Sequence, residues 1–131
     1  MAWMENIGVW FEIPVVDIER AKKFYSDVFG VEFNDMVHNN SRVAMFPFER
    51  GVVSGTLVEF PDNKPSTTGT TVYLNGGKDL SDALSRVVKA GGEILLDRTS
   101  IKEYGFMAYF KDSEGNKIGL HSMMCDGQKA E

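Results

Sequence analysis

Few side chains in this chain can exchange protons near neutral pH, and two of them stand in apolar, alternating segments: Glu12 in "WFEIP" and His121 in "KIGLHS". Strand side chains alternate between two faces, so if Trp10 points inward Glu12 does too, and if Gly119 points inward so does His121. A carboxylate and an imidazole on strands flanking one cleft could act as general base and general acid, because histidine titrates near neutrality and burial can raise a glutamate toward it. The alternative for the same pair is structural. In it Glu12 is a half-exposed partner of an ion pair, and His121 is satisfied by a backbone carbonyl.

Other reactive residues point to local roles. His38, in "HNNSR", reads as a solvated turn residue between extended segments. Asn39 opens an Asn-Asn-Ser glycosylation pattern, read here as a polar turn because "MAWMENIGVW" lacks the basic-then-apolar order of a secretion signal. "NGGKD", Asn75 to Asp79, lacks the glycine spacing and trailing Ser or Thr of a P-loop, and "DSEGN", Asp112 to Asn116, is too short for a calcium loop. The single cysteine, Cys125, cannot form an internal disulfide and fits a reducing, cytoplasmic setting.

The elements that must position Glu12 and His121 come in two rounds. Gly8 to Val15 alternates as a strand and runs into a segment where Ile18, Ala21, Phe24, Tyr25, Val28 and Phe29 recur at helical spacing. Asp17 can cap that helix and Gly30 can close it. Extended segments follow near Val31 to Asp35, Ser41 to Pro47 and Val52 to Phe60. After the polar, Pro-rich "PDNKPSTTG" the order begins again: a strand at "TTVYL", a helix capped by Asp79 and ended by Gly91 and Gly92, then strands near Glu93 to Leu96, Phe106 to Lys111 and Lys117 to Ser122. The helices superpose at an offset of 62, Asp17 on Asp79 and Gly30 on Gly92. The spacing predicts one domain over 1–131: module one over about 6–60, a linker over 61–69, module two over about 70–123 and a tail over 124–131. Its class is α+β, with two βαβββ modules whose curled mixed sheets form a shared cleft.

Composition narrows the partners. Nineteen acids against fourteen Lys and Arg give a net charge of −5 with no basic run, which argues against nucleic acid. No apolar stretch reaches the roughly 20 residues of a membrane span. Trp10, Thr70 and Gly119, with the inward half of "RVAMFPF" and "GFMAYF" (Met45 and Tyr109 among it), would line a cleft suited to a flat or aliphatic organic molecule.

"FEIPVVDIERAKKFYSDVFGVEF" together with "FKDSEGNKIGLHS" resembles the glyoxalase, bleomycin-resistance and extradiol dioxygenase group, the vicinal oxygen chelate superfamily. The resemblance implies the paired βαβββ fold, a homodimer, and a ligand in the cleft, held in many members beside a divalent metal. Carried over residue by residue, it puts the first ligand place on Trp10, the second-module place on Thr70 or Thr71, and the last on Gly119. The remaining place falls between Gly55 and Leu57, with Glu59 the nearest carboxylate. Such sites need about four to six His, Gln or carboxylate donors, so no metal cofactor is expected here. Two functions follow from the resemblance: a glyoxalase-like protein that binds a small organic molecule without turnover, or a lyase, isomerase or dioxygenase-type enzyme working with a metal or with Glu12 and His121.

Overall fold

Strand β1 (Trp10–Pro14) leads into helix α1 (Ile18–Phe29), then β2 (Asn34–His38), β3 (Ser41–Met45) and β4 (Ser54–Glu59). The order repeats as β5 (Tyr73–Asn75), α2 (Leu80–Ala90), β6 (Glu93–Ser100), β7 (Phe106–Lys111) and β8 (Lys117–Ser122). The computed structural model describes residues 6–38, 41–125 and 127–129. Sheet one has the order β1-β4-β3-β2 and sheet two β5-β8-β7-β6. In each, the strand before the helix pairs in parallel with the module's last strand, while the other pairings are antiparallel.

The helices form where the caps foretell. Asp17 accepts the Arg20 amide at 3.1 Å and Asp79 the Ser81 amide at 2.9 Å, each satisfying a first-turn donor that the helix leaves open. Gly30 closes α1 at φ 67° and Gly91 closes α2 at φ 113°. The second helix is thus one residue shorter, and Gly92 has a different task. A Cβ there would lie 2.5 Å from the Lys111 carbonyl oxygen, so only glycine lets the chain pass β7 so closely.

Both helices bury one stripe: Ile18, Ala21, Phe24, Tyr25 and Val28 on α1, and Leu80, Ala83, Leu84 and Val87 on α2. These meet each other and the inner faces of both sheets, including Ile13, Ala44, Leu57, Phe110, Ile118 and Leu120, in one cluster. The Phe24 and Phe110 ring centroids are 5.9 Å apart, so the modules share a core. Each sheet keeps a second, open face.

Polar contacts from "DSEGN" fasten module two to module one. Asp112 accepts the Tyr25 hydroxyl at 2.6 Å, and the Asn116 amide donates to the Pro14 carbonyl at 2.7 Å. Glu114, whose side chain is fully buried, accepts the amides of Val16 and Asp17 at 2.9 and 2.8 Å and the Arg20 guanidinium at 2.7 and 3.0 Å. A carboxylate at the start of α1 also complements the positive end of the helix dipole. Burial pushes the Glu114 carboxyl up, but the Arg20 hydrogen bond and the amide donors outweigh it and hold its pKa below the ordinary value. Burial, and then the Asp112 charge, push the Tyr25 hydroxyl well above its ordinary value.

Several strand limits differ from the sequence expectation. The segment expected near Val31 to Asp35 is β2 at Asn34–His38, pinned by its pairing with β3, Asn34 opposite Met45 and His38 opposite Ser41. β6 runs on to Ser100 because irregularities after Ile94 and Leu96 let a polar stretch without alternation keep following β7. The tail carries a short ladder, β9 (Met124–Cys125) with β10 (Gln128–Lys129). Asn39 and the polar turn expected there lie outside the described residues, as does the side chain of His38. No helix of the described residues is long and apolar enough to cross a membrane.

The depressed Glu114 pKa gives its contribution a sign. The stabilisation is present above the ordinary carboxylate range and is lost as pH falls through the lower, folded-state value. Glu114→Gln should therefore cost about 1–3 kcal/mol at pH 7 in chemical denaturation, the scale of hydrogen bonds to a buried charge. The gap between variant and parent should narrow as pH drops below the usual carboxylate value; a gap independent of pH would contradict this role.

Candidate functional site

The open faces carry the residues singled out from the sequence. On sheet one the register sets Trp10 opposite Ser54, Glu12 opposite Thr56, and Thr56 opposite Met45. Trp10 and Glu12 are exposed, and the Trp10 ring meets Phe48 edge-on at 5.4 Å. Thr56 is buried between its neighbours, and its hydroxyl has no hydrogen-bond partner among the described residues. Nor has Glu12 an ion-pair partner among them. The ion pair that was its structural alternative is absent there.

On sheet two, one row across the strands reads Tyr73, Gly119, Tyr109, and the next reads Asn75, His121, Met107. Tyr73 and Tyr109 share a hydrogen bond between hydroxyls at 2.8 Å, and the Lys117 ammonium sits 4.3 Å from the Tyr109 ring centroid. The hydrogen bond to Tyr109, with some burial, pushes the Tyr73 pKa up to about 12. A Cβ on Gly119 would lie 2.5 Å from Cδ2 of Tyr73. Tyr73 thus fills the space above Gly119.

Thr70 was expected on the strand facing Gly119, but the strand starts at Tyr73 and Thr70 is exposed before it. The reason lies in the partner strand. Lys117 gives its amide to the Ser66 carbonyl at 3.2 Å, so regular parallel bonding begins only where Gly119 donates to Val72 at 2.9 Å. Tyr73, missed from the sequence, is the residue opposite Gly119. It stands six residues before the cap Asp79, as Phe11 stands six before the cap Asp17.

His121 has its Nε2 2.6 Å from the Tyr104 carbonyl oxygen. Glu12 and His121 are not brought together: they stand on different sheets and no hydrogen bond joins them. His121 lines a cavity of about 730 Å3 whose walls all come from module two: Tyr73, Leu74, Asn75, Gly77, Ile101, Met107, Ser122 and Met123 besides His121. No Asp, Glu, Lys or Arg is among them. Of the residues expected to line a cleft, Trp10 and Met45 share the open face of sheet one, while Tyr109 and Gly119 share that of sheet two.

A divalent metal does not suit these positions. Trp10 and Gly119 offer no donor, and the space a side chain at 119 would need holds a tyrosine ring. Glu59, the nearest carboxylate to the remaining place, accepts the Ile18 amide at 2.8 Å and so serves the start of α1. Among the described residues no three His, Cys, Asp or Glu side chains gather in a metal-binding arrangement.

Residues 9–120 match the model of the Glyoxalase/Bleomycin resistance protein/Dioxygenase superfamily. A "Glyoxylase-like domain-containing protein" of Didymella fabae is 35% identical over 116 residues, covering 80% of this chain and 84% of the relative. Among solved structures, glyoxalase I from Zea mays superposes with a TM-score of 0.66 at 19% identity, covering 86% of this chain and 44% of the maize one. The chain therefore spans about half the length of that enzyme. TnmS3, an antibiotic binding protein from Streptomyces sp. CB03234, superposes with a TM-score of 0.63 at 24% identity, covering 92% and 98% of the two chains.

The contact between Tyr73 and the bare backbone of Gly119 can be measured. Gly119→Ala should destabilise by about 1–3 kcal/mol, the usual penalty for overpacking. Because the clash is with one ring, the same change made on a Tyr73→Ala background should cost much less in denaturant titrations. Equal costs on both backgrounds would show that the ring is not what excludes a side chain.

Proposed function

The chain belongs to the Glyoxalase/Bleomycin resistance protein/Dioxygenase superfamily, and from that premise we propose that it binds a small organic molecule on an open sheet face without the divalent metal many members use. The observation that carries this reading is the cavity on sheet two. Its walls are mostly apolar and include no Asp, Glu, Lys or Arg, and Tyr73 stands over Gly119 where the resemblance would put a metal ligand. Such a site can hold an apolar body by contact and orient it with a few polar groups. TnmS3, which shares the fold, is an antibiotic binding protein, in keeping with ligand capture as a use of this scaffold.

The proposal includes a homodimer. Trp10, Phe48, Val52 and Val53 of module one are each at least two fifths exposed, apolar surface that a second copy could cover. A reducing cytoplasm suits the single, buried cysteine, whose thiol burial pushes up, with a hydrogen bond to Asp79 adding to it. One observation favours a second reading as a metal-free enzyme: Glu12 is an exposed carboxylate on the same face as Trp10 and has no ion-pair partner among the described residues.

The two readings separate in one series of measurements. Protein purified without chelator should carry well under one equivalent of metal by elemental analysis and bind nickel and zinc weakly. A thermal-shift screen of metabolites should yield a neutral, apolar compound that is recovered unchanged after incubation. Stoichiometric, tight metal binding would sink the metal-free proposal. Conversion of the compound, abolished by Glu12→Gln, would replace binding with catalysis.

A further inference from the structure

His121 is held in one tautomer. A backbone carbonyl can only accept, so the ring nitrogen 2.6 Å from the Tyr104 oxygen must carry the hydrogen. Neutral imidazole has a single N–H, which leaves Nδ1 as a bare acceptor, and no described residue donates to it. The carbonyl that imposes this is itself fixed. Residues 101–105 close on themselves through the Ile101 amide to the Gly105 carbonyl at 2.8 Å and the Gly105 amide to the Lys102 carbonyl at 3.0 Å. The turn is tight enough to hold Lys102 at φ 61°, a conformation that non-glycine residues keep only where their surroundings demand it.

We propose that the cavity on sheet two binds a neutral aromatic compound through a hydroxyl or N–H group that donates to Nδ1 of His121; this rests on the binding reading above. The register sets His121 between Asn75 and Met107 on the face that lines the cavity. Asn75 uses its Oδ1 to accept the Gly77 amide at 2.8 Å, which leaves its NH2 group as a donor beside the histidine. Around these, Tyr73, Ile101, Met107 and Met123 offer a half-exposed ring and flexible apolar side chains, with thioethers suited to an aromatic edge.

The same features set the selectivity. No Asp, Glu, Lys or Arg side chain lines the cavity, so an anion entering it would lose hydration without meeting a permanent cation, and would also face the lone pair of Nδ1 in the neutral ring. An ether of the same shape fills the space but leaves Nδ1 without a hydrogen. The ligand class is therefore a planar, uncharged molecule bearing a phenol-like hydroxyl or an aromatic N–H.

The tautomer and the anchor are both accessible to nitrogen-15 NMR, because the chain has only two histidines, His38 and His121, and His38→Gln assigns the signals. The full chain is titrated with 2-naphthol, 2-methoxynaphthalene and 2-naphthoate. Expected are an Nε2–H tautomer for His121, at least about tenfold tighter binding of 2-naphthol than of the other two, and movement of the Nδ1 resonance with 2-naphthol alone. His121→Phe should erase the preference for naphthol over its ether. An Nδ1–H tautomer, equal affinities for naphthol and ether, or a still Nδ1 resonance would overturn the proposal, and these wild-type readouts decide it even if the variant fails to fold. Equal but measurable affinities would remove the His121 anchor and leave the binding reading standing. No binding of 2-naphthol would also overturn the anchor, while the metabolite screen decides the broader reading separately.

Discussion

The turn from Asp112 to Asn116 holds this molecule together. Two βαβββ modules, each with one helix and one four-stranded sheet, could pair in several ways, since greasy helix stripes are poor at choosing among partners. The polar side chains of the turn remove that freedom. Asp112 takes the Tyr25 hydroxyl, Asn116 reaches the Pro14 carbonyl, and Glu114 collects two amides and a guanidinium at the start of α1. Each bond has a required direction and an unmet alternative that is costly when buried, so the network fixes how one module sits on the other. Only with that pose fixed do the helices pack on each other and leave the far face of each sheet open.

The open faces then inherit their chemistry from small exchanges of side chain. On sheet two, glycine at 119 lets the Tyr73 ring settle onto the backbone, and Tyr109 ties it down through a hydroxyl pair. The result is an aromatic floor over the bare backbone of Gly119. Beside it, His121 is tied through Nε2 to the turn at Tyr104 and offers its other nitrogen to the cavity. One sheet row thus supplies shape and the next supplies direction, a division of labour suited to holding a molecule in one orientation.

Much of this was legible in the sequence, and the rest failed for identifiable reasons. Asp17, Gly30 and Asp79 announce the two helices because capping is local chemistry, and alternation put Trp10 with Glu12 and Gly119 with His121 on shared faces. The turn "DSEGN" was the strongest family mark, yet its structural work could not be read, since its partners Pro14, Val16 and Tyr25 lie roughly a hundred residues away along the chain. Thr70 was misplaced because the approach to β5 is set by Ser66 and Val72 bonding to β8, a tertiary choice with no periodic trace. The role of Tyr73 was hidden by the same slip. The carbonyl of Tyr104, which decides the His121 tautomer, belongs to a turn without a motif.

On the proposed reading, the open face of sheet two holds a neutral ligand unaided by metal. Methyl-labelled methionine offers a direct view, because Met107 and Met123 line the cavity while Met36 and Met45 lie on sheet one. On saturation with a bound aromatic compound, the Met107 and Met123 methyl signals should shift, and chelator should leave those shifts unchanged. Shifts confined to the sheet-one methionines, or shifts that appear only when a divalent metal is added, would contradict that reading.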